Sequence, residues 1–196
     1  MSARLGRPVF PSIAPSWRGI LLMVVLLGTS QLAPASDTSS PVSISLADQW
    51  EKPAVLNAPL DRIIILTVAD RTGAEQINEW VAPLKVEFGT NVQFFAVADV
   101  SAVPGPLRGM VRRRFAKEYT YPIALDWKGT ITGQLALTAK SVNLFVLDRS
   151  GTVQHKAQGA VATEALRNLI NAVTRLLPPA TESEVGERTT TRASAP

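Results

Sequence analysis

Residues 62–80 read RIIILTVADRTGAEQINEW. The opening RIIILTV is a short, continuous apolar run rich in β-branched residues, the pattern of a strand buried on both faces. From Gly73 onward the period changes. Ile77, Trp80, Val81, Leu84 and Phe88 recur at helical spacing within 73–88, and Pro83 inside that pattern predicts a kink or an early break. A strand feeding a helix through a glycine-centred turn is half of a βαβ unit, and α/β folds gather their chemistry at the carboxyl ends of such strands. This turn contains no cysteine, serine or histidine.

The alternation continues outward. NVQFFAVADV (91–100) reads as a second strand and SAVPGP as a loop. LRGMVRRRFAKEY (107–119) reads as an amphipathic helix with Leu107, Met110, Val111 and Phe115 on its apolar side. YPIALDW (121–127) is a third strand, and GTITGQLAL predicts a short helix. SVNLFVLD (141–148), the turn RSG and TVQHKAQG (152–159) predict a hairpin. VATEALRNLINAVTRLL (161–177) is a final helix with Leu166, Leu169, Ile170, Val173 and Leu177 in one stripe, stopped by Pro178 and Pro179. The order β-α-β-α-β-(α)-β-β-α implies right-handed crossovers, a parallel component and a closing antiparallel hairpin. The expected class is α/β, a three-layer fold with a mixed central sheet and helices on both faces.

The chain has 196 residues, 46% of them hydrophobic, which is sufficient for one domain with a sizeable core plus terminal extras. Its formal charge is +4, but three of the 20 basic residues (Arg4, Arg7 and Arg18) lie in 1–35, where there is no acid. The remainder carries 17 basic against 16 acidic residues, a near-neutral body that argues against nucleic acid as a partner. Those arginines precede GILLMVVLLG (19–28), and Ala33-Pro34-Ala35 offers an A-x-A-like cleavage site before Ser36. This layout predicts a signal peptide over 1–35, hence an exported, periplasmic or secreted protein. The alternative is an uncleaved inner-membrane anchor through 19–28, although that run falls short of the ~20 residues a spanning helix needs. Residues 36–43 read as a linker, 44–178 as the folded domain and 179–196 as a disordered tail. Cysteine is absent altogether, which excludes disulfides and every form of thiol chemistry.

The element order, together with FVLDRSGTV before a terminal helix, resembles the thioredoxin-like superfamily over about 44–177. It is most similar to exported redoxin or peroxiredoxin-like domains and to membrane-tethered cytochrome-maturation thioredoxins. Leu147, Asp148, Gly151 and Val153 fit that group's φ-D-x-x-G-x-φ hairpin segment, and Ile44, Leu46 and Asp48 fit its φ-x-φ-x-D lead-in. The resemblance implies a thioredoxin-like three-layer fold. It also places Ala69-Asp70-Arg71-Thr72-Gly73-Ala74-Glu75 over the family's A-x-W-C-G-P-C segment. Thr72 then takes the place of the nucleophilic cysteine and Glu75 that of the resolving one, while Gly73 matches. The family's cis-proline would fall near Val142. In the peroxiredoxin pattern P-x-x-x-T-x-x-C, Thr72 matches the threonine, Val68 replaces the proline and Glu75 the peroxidatic cysteine. In either alignment the reactive sulfur is missing.

Thr72-x-x-Glu75 also has the spacing of a capping box, which predicts that Thr72 caps the following helix. Asp70, Arg71, Thr72, Glu75 and Val142 line the edge of the expected cleft and are the candidates for binding a protein or peptide partner; an anion at the helix N-terminus is the weaker alternative. Arg108, Arg112, Arg113, Arg114 and Lys117 form a basic surface, either a solvated helix face or a contact for anionic lipid or an acidic partner. Asp70, Asp99 and Asp126 fall at strand ends, where capping the next turn is the simplest role. His155 is the only histidine, and no metal site, cofactor, phosphate loop or Ser-His-Asp set is identified. The resulting expectation is a cysteine-free, non-redox binding or scaffold protein of the cell envelope. The alternatives are a redoxin-family oxidoreductase or antioxidant protein, on resemblance alone, and a membrane-associated accessory subunit.

Overall fold

The structure, a computed structural model, describes residues 40–178. The expected signal peptide or anchor in 1–35, most of the 36–43 linker and the tail 179–196 lie outside the described residues. Among the described residues no helix is long and apolar enough to cross a membrane.

Among the described residues seven strands and four helices follow one another as β1 (Ile44–Asp48), β2 (Pro53–Leu56), β3 (Ile63–Ala69), α1 (Ile77–Phe88), β4 (Val92–Asp99), α2 (Arg108–Glu118), β5 (Ala124–Asp126), α3 (Thr130–Gln134), β6 (Val142–Leu147), β7 (Val153–Gln158) and α4 (Thr163–Leu176). Short 3-10 turns, Gly73–Gln76 and Gly105–Leu107, lead into α1 and α2. The strands form one mixed sheet in the order β2-β1-β5-β4-β3-β6-β7. β3, β4 and β5 are parallel; β6 runs antiparallel to β3 and forms a hairpin with β7.

All seven residues of β3 are buried, as its unbroken apolar run requires. Its side chains alternate between two cores. Ile63, Ile65 and Ala69 meet Trp80, Leu84 and Phe88 of α1 and Leu169 and Val173 of α4. Ile64, Leu66 and Val68 face Ile44, Leu56, Phe145 and Leu147, with Ile131 and Leu135 from α3 and its C-terminal flank. Two crossovers stepping the same way along the sheet, β3 to β4 to β5, place α1 and α2 on one face. α3 covers the other, so helices lie on both faces of a mixed α/β sheet.

Three local expectations are corrected. Of the kink or early break expected at Pro83, the break does not occur: α1 continues through to Phe88. Proline costs a helix interior about 3 kcal/mol, while burying Trp80, Leu84 and Phe88 gains roughly 1.5–3 kcal/mol per side chain. On α2, Val111 and Phe115 pack against Leu125 and Val100, but Leu107 and Met110 are 45% and 56% exposed. Leu107 falls in the 3-10 turn before α2, outside the helical period, and Met110 lies outside the stripe that meets the core. The third is the β1–β2 hairpin, which the predicted element order lacks. Its turn is held by Asp48, whose Oδ1 accepts from the amides of Trp50 (2.8 Å) and Lys52 (2.9 Å). Glu51 sits in the left-handed region at φ +64°.

The φ-D-x-x-G-x-φ segment forms the β6–β7 turn. Asp148 Oδ1 accepts from the Ser150 amide (2.8 Å), the Ser150 hydroxyl (2.6 Å) and the Thr152 amide (3.1 Å), and Oδ2 accepts from Gln154 Nε2 (2.6 Å). Partial burial works to raise the Asp148 pKa, but these hydrogen bonds outweigh it and hold the carboxyl below the usual range. Gly151, at φ +80°, supplies the left-handed corner and its carbonyl accepts from Val42 N–H (2.9 Å), tying the N-terminal segment to the hairpin.

Candidate functional site

β3 ends at Ala69, and Asp70 makes the corner. Its Oδ1 accepts from Gly73 N–H (2.8 Å), its backbone carbonyl from Ala74 N–H (2.9 Å), and its Oδ2 from Lys140 N–H (2.7 Å) on the loop before β6. One carboxylate thus caps the first turn after β3 and ties it to a segment remote in sequence.

Gly73 is buried at the contact between these segments. A Cβ there would stand 2.3 Å from both the carbonyl carbon and oxygen of Ser141 and 2.6 Å from Val142 N. Only a hydrogen fits, so glycine is required by close backbone approach rather than by an unusual φ. Val142 is fully buried and pairs with Ala69 across the β3–β6 ladder. Its N–H donates to Gln76 Oε1 (3.3 Å) and its carbonyl accepts from Gly159 N–H (3.0 Å). Asn143 closes the loop from the other side: its Oδ1 accepts from Thr138 N–H (2.8 Å) and its Nδ2 donates to the Thr138 and Ser141 carbonyls.

The capping-box expectation is corrected here. Thr72 has helical backbone angles and makes no side-chain cap bond. A carboxylate two residues earlier provides the cap, and the helix opens with a 3-10 turn rather than an α turn. Arg71, Thr72 and Glu75 are all exposed, whereas Asp70 is half-buried and Val142 lies beneath Gly73. Gln76, Lys140 and Ser141 went unread. Asp70-x-x-Gly73 was the available signal, since aspartate ranks with the best N-caps.

The other strand-end carboxylates also hold turns. Asp99 Oδ1 accepts from the Ser101 amide (3.0 Å) and hydroxyl (2.6 Å), and Oδ2 from Thr132 Oγ1 (3.2 Å). Asp126, almost wholly buried, accepts from the amides of Lys128, Thr130 and Ile131 and so starts α3. Asp70, Asp99, Thr138 and Asn143 line a small cavity of about 90 Å³. Among the described residues no three His, Asp or Glu side chains gather to hold a metal ion. His155 lies on the edge strand β7; partial burial, with the charge of Arg175, lowers its pKa.

The five basic residues of α2 divide. Arg108 lies 5.5 Å from the Trp127 ring and donates to its carbonyl (3.3 Å). Arg112 is ion-paired with Glu51, and Arg114 with Glu118 (2.8 Å). Arg113 and Lys117 are exposed and have no ion-pair partner among the described residues.

No family model and no curated protein sequence matches the chain. Solved structures do. A protein described as thiol:disulfide interchange protein DsbE from Chlorobium tepidum superposes with a TM-score of 0.54 at 15% identity, over 70% of this chain and 94% of that one. The exposed lipoprotein thioredoxin of Streptococcus pneumoniae gives 0.51 at 12% identity, over 66% and 98%. The peroxidoxin BcpB of Mycobacterium tuberculosis gives 0.50 at 19% identity, over 71% and 96%. At such identities the likeness carries architecture and no chemistry. The resemblance read from the sequence holds for the fold: this chain is a cysteine-free protein with the thioredoxin-like fold.

Proposed function

We propose that the chain is a non-redox binding or scaffold protein of the cell envelope. The observation that carries this reading is the cysteine-free junction on a thioredoxin-like fold: Thr72 and Glu75 stand exposed at the two positions the resemblance gives to sulfur. No thiolate can attack a disulfide or a peroxide there. Arg71, Thr72 and Glu75 instead present a cation, a hydroxyl and a carboxylate on one exposed turn, groups suited to polar recognition of a protein or peptide. Contact at this corner runs through side chains, because the Gly73 and Val142 amides are already bonded internally. Placement in the envelope is supported by the signal-peptide layout of 1–35.

The test is a pull-down from envelope extract with the wild-type protein and the double variant Arg71→Ala/Glu75→Ala. At least one protein retained by the wild type is expected to be lost from the variant. An identical set of retained proteins would contradict recognition at this corner.

A further inference from the structure

The β1–β2 turn and the outer flank of α2 enclose a second groove, of about 300 Å³. Trp50 and Glu51 line it from the turn, and Gly109, Arg112, Arg113 and Ala116 from the helix. Positions 109, 112, 113 and 116 share one helix face. The small residues at 109 and 116 leave that face low, which opens the space beside Trp50, itself 39% exposed.

The groove carries two cations, Arg112 and Arg113, against one carboxylate, Glu51. α2 carries five cations and a single carboxylate, Glu118, which Arg114 holds. Arg112 is occupied by Glu51, whose side chain is 72% exposed and whose backbone stands at φ +64°, a conformation costly for a residue other than glycine. The groove is therefore arranged around a carboxylate and at present holds the chain's own. Beside that pair Arg113 is exposed and has no ion-pair partner among the described residues.

We propose that this groove binds an acidic segment of a partner protein. One partner carboxylate replaces Glu51 on the Arg112 guanidinium, a second meets Arg113, and the aliphatic stems between them pack on the Trp50 ring. Tryptophan and arginine dominate the energetics of protein interfaces, and complementary charge selects and steers the partner. A groove of this size between a turn and a helix receives a narrow segment, whereas a flat anionic bilayer reaches only its rim. This inference rests on the reading of the chain as a binding protein and assigns it a surface apart from the strand-end junction.

The full chain, titrated with a fluorescent oligoglutamate peptide at low salt, is expected to bind it saturably. Arg113→Glu should weaken binding about tenfold, as reversal of a steering charge does. Glu51→Gln should strengthen it about threefold, the weight of one surface ion pair removed as a competitor. Arg113 is exposed and without an ion-pair partner among the described residues, so its replacement leaves the fold intact, which a urea melt of both variants checks. Absence of saturable binding, equal binding by Arg113→Glu, or weaker binding by Glu51→Gln would overturn the proposal. So would Arg113-dependent binding to phosphatidylglycerol vesicles without binding to the peptide. A protein that ignores the peptide yet keeps envelope partners sensitive to Arg71 and Glu75 would lose the groove and retain the proposed function.

Discussion

Gly73→Ala is expected to lower the free energy of unfolding by about 3 kcal/mol, the upper end of the range for overpacking a closed core. The added methyl would stand 2.3 Å from the Ser141 carbonyl group and 2.6 Å from Val142 N. Real side-chain contacts do not come so near, and the obstructing atoms are backbone. They cannot move alone. Val142 is paired with Ala69 at the end of the β3–β6 ladder, its N–H is bonded to Gln76, and the nearby Lys140 amide is bonded to Asp70. Relief therefore requires the turn after β3 to lift from β6, which breaks those side-chain bonds together. A urea melt measures this; a loss below about 1 kcal/mol would mean that the segments are not in contact at this distance.

The second large effect is at Trp80. Its side chain is fully buried in the core between β3, α1 and α4, and its Nε1–H donates to the Gly159 carbonyl (2.8 Å). Trp80→Ala removes the largest buried side chain of that core and is expected to cost about 3–5 kcal/mol. For a domain of this size the melting temperature should fall by more than about 10 °C. The hydrogen bond adds a constraint of its own, because Gly159, at φ +83°, turns the chain from β7 toward α4. Trp80→Phe keeps most of the apolar contact but leaves the Gly159 carbonyl without its donor, a loss of about 1–3 kcal/mol. Equal losses for the two variants would show that the hydrogen bond, and not the volume, dominates.

Much of this architecture was legible because burial leaves a local trace. The β3 run is apolar on both faces and was readable as a central strand. The β6–β7 turn announced itself through Asp148 and Gly151, which the structure uses as acceptor and left-handed corner. Other features depend on groups far apart in the chain. The role of Gly73 is defined by Ser141, which no local pattern connects to it. Thr72-x-x-Glu75 had the right spacing for a capping box, yet a nearer carboxylate, Asp70, took the amides. The β1–β2 hairpin escaped because its turn places glutamate, not glycine or asparagine, at positive φ. Met110 and Leu107 read as one apolar side with Val111 and Phe115, but only the latter pair reaches the core, and Leu107 precedes the helix. Glu51 and Arg112 meet only once both elements are folded.

The turn after β3, the corner that the sequence resemblance sets over a family's redox segment, is a closed structural joint built from side-chain bonds. Residue-resolved hydrogen exchange on the native protein tests it most directly. The amides of Gly73, Lys140 and Val142 are bonded to the side chains of Asp70 and Gln76. Those of Lys140 and Val142, bonded across the joint, are expected to exchange with protection approaching that of the β3 amides, since opening either requires the joint to separate. Exchange of Lys140 and Val142 at the rate of exposed loops would show an open corner and contradict the claim.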